Sequence, residues 1–338
     1  MKTVVKKYGY LDDRDLCEIS LINDNGMQVK ILNYGATLEK IEIPTSKGLE
    51  NIIMSLTSPE DYSKGRNYLG GTIGRVAGRI KKGQWKHGNQ ITQFPINEGE
   101  NSMHGGEGID TRPWTFQPKY NDSYASVEFE IFDYDGANGY PGNMKIKATY
   151  RLDNDNNLNY HITAMTDKTT LFNPTNHTYF RLDGDQHDVT DLNLKVNADY
   201  YIPVDENTMP VKGAKKVDGT PFDFRKSKHL NEVINSDVNE IKIRNGLDHP
   251  FILNGNQPAA VLTSNRSNRK LIMSTDAPAV VIYSGNSFNH TGIAKNLGRH
   301  DGITLEAQVA PQSGCKLDPL VLLPGEKFSR RVNWKVVY

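Results

Sequence analysis

The stretch MKIKATYRLDNDNNLNYHITAM, residues 144–165, decides how the chain is read. Met144, Ile146, Ala148, Tyr150 and Leu152 alternate with Lys145, Lys147 and Arg151. The run DNDNN breaks the pattern. Alternation then resumes through Leu158, Tyr160, Ile162 and Ala164. A period of two on both sides of a polar break predicts a hairpin with one buried and one wet face. VEFEIF, with Val127, Phe129 and Ile131 opposite Glu128 and Glu130, repeats the pattern, as does GQWKHGNQIT around its HGN turn. APAVVIYSG is apolar throughout and reads as a strand covered on both faces. Helical periodicity is scarce. TSPEDYSKG predicts a short helix with Ser58 as N-cap, Pro59 first and Glu60 in the first turn, and KSKHLNEVINS is a second, weaker candidate. Many strands separated by Gly, Pro, Asn and Asp predict an all-β chain: one large antiparallel sandwich over residues 1–338, with one or two short helices.

Bulk composition narrows the partners. Lys+Arg and Asp+Glu both number 40 among 338 residues, so the net charge is zero and no basic face is offered to nucleic acid or acidic lipid. Two cysteines, Cys17 and Cys315, make neither a disulfide framework nor a zinc motif. No segment approaches the ~20 apolar residues of a membrane span, and MKTVVKKYGYLDDRD lacks the apolar core of a signal peptide. The expected setting is the cytoplasm, with a small polar molecule as partner.

Five stretches carry candidate chemistry: VAGRI with Arg79, NSMHGG with His104, FNPTNHTYF with His177, GLDHPF with Asp248, and GITLEAQ with Glu306. Taken singly, each has an ordinary reading. In GITLEAQVA, Ile303, Leu305, Ala307 and Val309 share one face and Thr304, Glu306 and Gln308 the other, so Glu306 reads first as a solvated carboxylate. On a strand facing a cleft it would instead be a base held in a fixed pose. His177, after Pro174 at a strand entry, is either a histidine bonded within a sheet or a general acid, since its ordinary pKa lies near neutrality. Arg79 is a surface arginine, or a fork of donors beside a closely approached Gly78. Asp248 before His-Pro is an Asx-type turn residue, or an acceptor for hydroxyls. HGG could belong to an esterase oxyanion loop, but no GxSxG elbow accompanies it. P-loop, HExxH, EF-hand and dinucleotide fingerprints are also missing.

In combination and order these stretches resemble the galactose mutarotases, or aldose 1-epimerases. GRVAGRI, NEGENSMHGG, DGANGYPGNM, FNPTNHTYFRL, GLDHPF, VIYSGN and GITLEAQ follow the family's order, and NYGATLEKIEIP and LLPGEKFSRRVNWKV resemble its flanks. The resemblance implies a β-sandwich that needs no metal or organic cofactor and converts the α and β anomers of free aldohexoses, galactose or glucose, as a monomer or homodimer. It assigns Glu306 as general base and His177 as general acid. Arg79, His104 and Asp248 match sugar-binding positions, with Gly78, Tyr179 and Tyr283 beside them. Gly105 and Gly106 are expected to let the loop turn behind the imidazole without crowding the pocket. Gly78 stands where many members have Asn, which removes a sugar contact. Arg181 also stands where Asn is common, and bears on substrate preference. MHGG replaces the more usual Leu-His-Gly. A hexose-6-phosphate epimerase is the alternative within enzymes, with Arg75 and Arg181 as suggestive cations. A glycoside hydrolase would pair two carboxylates, and a non-catalytic sugar-binding sandwich would need no acid/base pair.

Overall fold

A computed structural model describes residues 1–338, with the side chain of Gln186 left out. The hairpin read from the sequence spans Met144–Asp153 and Asn157–Thr166, paired antiparallel with Tyr150 opposite Tyr160. Its apolar side is buried, because alternation places every second side chain on one face. The hairpin lies inside a nine-stranded antiparallel sheet. From Thr115–Tyr120 the order passes through Tyr124–Asp133 and the hairpin to the C-terminal strand Phe328–Val337, then to Lys270–Thr275, Ala260–Ser264, Leu192–Val196 and Lys228–His229. The last long strand of the chain thus joins its middle to its later third.

A six-stranded antiparallel sheet carries Tyr179–Phe180, Ile303–Gln308, Ala279–Tyr283, Asp248–Leu253, Ala198–Tyr201 and Lys215–Lys216, in that order. The first 51 residues form a five-stranded antiparallel meander ending at Asn51. One apolar cluster runs through all three sheets, from Ile19 and Ile31 through Phe129 and Ile146 to Met273, Val280 and Ile282. Cross-layer hydrogen bonds reinforce it: the Tyr150 hydroxyl donates to the Ala36 carbonyl at 2.9 Å. The architecture is all-β, as expected.

The helices differ in detail from the expectation. Pro59–Ser63 is a 3₁₀ turn rather than an α-helix, with Ser58 as N-cap, Pro59 first and Glu60 in the first turn as expected, and Asp61 closes a capping box on Ser58. KSKHLNEVINS yields only α1, Leu230–Ile234. A second α-helix, α2, Asn239–Arg244, was not expected; it ends on Asn245 at φ 54°, a left-handed C-cap. No helix among the described residues is long and apolar enough to cross a membrane.

Candidate active site

The polar face of Ile303–Gln308 does not meet solvent. Ile303, Leu305 and Ala307 enter the core, Thr304, Glu306 and Gln308 lie on the opposite face, where Glu306 and Gln308 line a cavity, and all six residues are buried. Glu306 is 3 % exposed, so the solvated reading of this carboxylate is corrected. Cross-strand register builds one wall of the cavity. Glu306 lies opposite Val281, Thr304 opposite both Tyr283 and Tyr179, and Tyr283 opposite Asp248. Directly opposed residues share a face, which is why Tyr179, Asp248, Pro250, Val281, Tyr283 and Glu306 line the same space of about 420 Å³.

The other wall comes from short bridges. Arg79 opens the strand Arg79–Ile80, paired with Ser102–Met103, and His104 follows directly. His177 sits between Thr175–Asn176 and Tyr179–Phe180; its N–H donates to Gly71 and its carbonyl accepts from Gly70, both at 3.0 Å. The cavity therefore collects all eight residues singled out in the sequence: Gly78, Arg79, His104, His177, Tyr179, Asp248, Tyr283 and Glu306.

Within it, His177 Nε2 stands 3.3 Å from Glu306 Oε1. Burial pushes the imidazole down to about 4. Burial pushes the carboxyl up to about 8, against a hydrogen bond from the Thr304 hydroxyl at 3.0 Å. Both shifts favour the neutral forms, because an unpaired charge loses its hydration in a closed site. The two groups together hold one proton between those limits. Gln308 also donates to Glu306, at 3.3 Å. His177 Nδ1 is buried with no hydrogen-bond partner among the described residues, so it is not a histidine bonded into a sheet.

His104 is neutral, its pKa held well below the ordinary value by burial, then by His177, Arg79 and Arg66. Its Nδ1 accepts from the Gly78 N–H at 3.2 Å. The ring proton is thereby assigned to Nε2, which leaves His104 a hydrogen-bond donor. Its ring meets that of His177 edge-on at 5.2 Å, and the Tyr179 ring lies 5.1 Å from His177 on another side.

Several expectations are adjusted. Arg79 is no surface arginine: its side chain is 14 % exposed, grips Glu98 at 2.5 and 2.7 Å, and lies 3.8 Å from Asp248. Asp248 is not a turn residue but the first residue of a sheet strand. Burial raises its pKa, countered by Arg79. Gly105 and Gly106 are required by packing rather than by the pocket. A Cβ on Gly105 would lie 2.1 Å from the Gly74 carbonyl oxygen, and on Gly106 2.6 Å from Asn138. Gly78, at φ 78°, has room for a side chain, its nearest neighbour being Pro311 at 3.6 Å; left-handed backbone of this kind suits glycine first and Asn next. Arg181 does not line the cavity. Arg75 is 1 % exposed and bonded to Asp133 at 2.7 Å, with its remaining donors on backbone carbonyls and Thr170. Neither arginine is available to a ligand phosphate there.

Glu98 is one lining residue that sequence reasoning passed over. Its signal lay in NEGENSMHGG, where an acid precedes the histidine loop, but a lone glutamate among polar neighbours reads as solvated. Arg244, at the end of α2, lines the rim and was missed with its helix.

The chain is similar to several known proteins. The sequence pattern of a family described as Aldose 1-epimerase matches residues 18–335. The chain is 35 % identical to the aldose 1-epimerase of Escherichia coli over 331 residues, 94 % of each chain. It is 33 % identical to human galactose mutarotase over 325 residues, 91 % of each. The crystal structure of galactose 1-epimerase from Lactobacillus acidophilus superposes with a TM-score of 0.94 at 57 % identity, covering 99 % of this chain and 98 % of that one.

Proposed function

The chain belongs to the aldose 1-epimerase family, and from that premise we propose that it interconverts the α and β anomers of free aldohexoses, galactose and glucose, by acid/base-catalysed ring opening. The observation that carries this reading is the His177–Glu306 contact of 3.3 Å on the wall of a cavity that also holds Arg79, His104 and Asp248.

Anomer exchange moves two protons and no electrons to an acceptor. Written with its proton on His177, the pair is a carboxylate beside an imidazolium. Glu306 takes the proton from the C1 hydroxyl as His177 protonates the ring oxygen, and the C1–O5 bond breaks with its electrons passing to O5. The open-chain aldehyde is then accompanied by neutral imidazole and protonated carboxyl. Burial favours that same protonation state, so ring opening does not accumulate charge in the protein. Rotation about C1–C2 and reversal of the proton movements close the other anomer. Each positioned acid or base typically contributes ~10²–10⁴-fold.

The remaining groups bind and orient. His104 donates from Nε2, Arg79 from the part of its fork not held by Glu98, and Asp248 accepts from hydroxyls. Fixing the sugar this way converts binding energy into orientation. Hexose 6-phosphate finds less support. Arg79 is already committed to Glu98 and Asp248, Arg75 and Arg181 do not line the cavity, and Arg244 alone would meet a phosphate, where several converging cations are needed. A non-catalytic sugar-binding role leaves the acid/base pair without a purpose. A cytoplasmic setting fits free hexoses as substrates.

Polarimetry with freshly dissolved α-D-galactose and α-D-glucose tests this reading. Optical rotation is expected to relax faster than the buffer blank with catalytic amounts of protein. Relaxation at the blank rate with both sugars, from folded protein, would sink it.

A further inference from the structure

We propose that Arg66 is a positioning residue for His104, acting through the backbone of residues 104–106; this rests on the sugar-orienting role proposed above for His104. Three successive residues, His104, Gly105 and Gly106, have φ of 49°, 72° and 74°. For a histidine, unlike the two glycines, this left-handed conformation is disfavoured by its Cβ, so neighbouring groups must hold it. Arg66 does so from outside the cavity that His104 lines. Its Nη2 donates to the His104 carbonyl at 2.6 Å and its Nη1 to the Gly106 carbonyl. The same guanidinium is gripped by Asp110 at 2.9 and 2.7 Å.

The clamp is built rather than incidental. The Asp110 side chain is 4 % and the Arg66 side chain 18 % exposed. A Cβ on Gly108 would fall 2.2 Å from Asp110 Oδ1 and 2.4 Å from Arg66 Nη2, so the loop carries no side chain where the pair must pass. The Arg66 guanidinium also lies 4.6 Å from the Tyr68 ring centroid, and that ring lies 4.8 Å from His104. His104 is thus held on three sides. Gly78 fixes its Nδ1, Tyr68 covers one side of its ring, and Arg66 holds its carbonyl, in the peptide plane next to its Cα, while anchoring the loop two residues on at the Gly106 carbonyl. Arg66 touches none of the residues proposed to transfer protons. Its fork bonds two carbonyls and a carboxylate at once, a geometry that lysine cannot reproduce.

A double-mutant cycle separates this role from general support of the fold. Mutarotation of α-D-galactose is followed for the wild type, Arg66→Ala, His104→Ala and the double variant, with thermal unfolding confirming that each is folded. Arg66→Ala alone is expected to raise KM by roughly 10- to 100-fold, with a smaller change in kcat. Added to His104→Ala it is expected to cost less than about 2-fold, since the group it aims is gone. An equal cost in both backgrounds, or kinetic constants of the folded fraction unchanged by Arg66→Ala, overturns the proposal. If Arg66→Ala does not fold, Arg66→Lys carries the test: an elevated KM supports the clamp, and a wild-type KM overturns it. A wild type that does not accelerate mutarotation defeats the functional reading itself. An active wild type with an additive cycle defeats only the role of Arg66.

Discussion

Glu39 and Glu306 are both buried glutamates on sheet strands, and burial pushes both up to about 8. They differ in everything else. Glu306 faces a cavity, accepts from Thr304 and Gln308, and touches His177. Glu39 lies in the N-terminal meander, away from the cavity. Among the described residues its carboxyl meets no hydrogen-bonding side chain other than the Glu18 carboxyl. Lys40 lies 3.9 Å away, and Glu18 pushes the group further toward its neutral form. A raised carboxyl pKa therefore records burial first. What marks Glu306 as functional is a proton partner within reach and room for a substrate.

The comparison is broken or sharpened most strongly by removing each carboxylate. Glu306→Gln is expected to lower the mutarotation rate by ~10²–10⁴-fold while sugar binding is largely kept. Glu39→Gln should leave the rate within about 2-fold, a change of roughly 0.4 kcal/mol. Equal losses in polarimetry would erase the distinction. Because the two groups act as a unit, removing His177 as well as Glu306 should cost little beyond the worse single variant.

The next effect is on stability. Glu39 keeps its proton when folded up to about 8, whereas an unfolded chain releases it near the ordinary 4.5. Between those values the folded state binds more protons than the unfolded one, so the stabilising share of the protonated group is complete at low pH and declines as pH rises. From about pH 5 to about pH 8 the thermal stability of the wild type should fall relative to that of Glu39→Gln, because His104, His177 and Glu306 contribute alike to both. A constant difference between the two across that range would mean that Glu39 is not held neutral. The smallest effect concerns Arg181, which lies off the cavity. Arg181→Gln should leave KM for galactose within about 2-fold, or ~0.4 kcal/mol, and a tenfold change would restore this residue to the question of substrate preference.

The sheets were legible because alternation in residues 144–165 is a direct image of a half-buried strand. The site was legible only through the order of its motifs. In GITLEAQ the pattern places Glu306 opposite the core but cannot distinguish solvent from a polar cavity, since both leave polar residues on that face. Arg66, Glu98 and Asp110 were illegible for a related reason. Arg66 and Asp110 cover one another, Glu98 is half-buried against Arg79, and a charged residue whose partner lies 19 or 44 positions away carries no local signal. Asp248 looked like a turn residue because the motif Asp-His-Pro has turn chemistry, yet its pairing with Tyr283 places it in the sheet. The six-residue helix α2 was too short for helical periodicity to show.

The pH profile of kcat/KM for α-D-galactose, corrected for uncatalysed mutarotation, tests most directly the claim that His177 and Glu306 work as a pair sharing one proton. This quantity reports the groups of the free protein. Activity is predicted to fall below about 4, as His177 takes up a second proton for the pair, and above about 8, as the pair loses its only one, with a plateau between. The alkaline limb should be present in Glu39→Gln and absent from the residual activity of Glu306→Gln. An alkaline limb that survives in Glu306→Gln, or disappears in Glu39→Gln, would contradict the account.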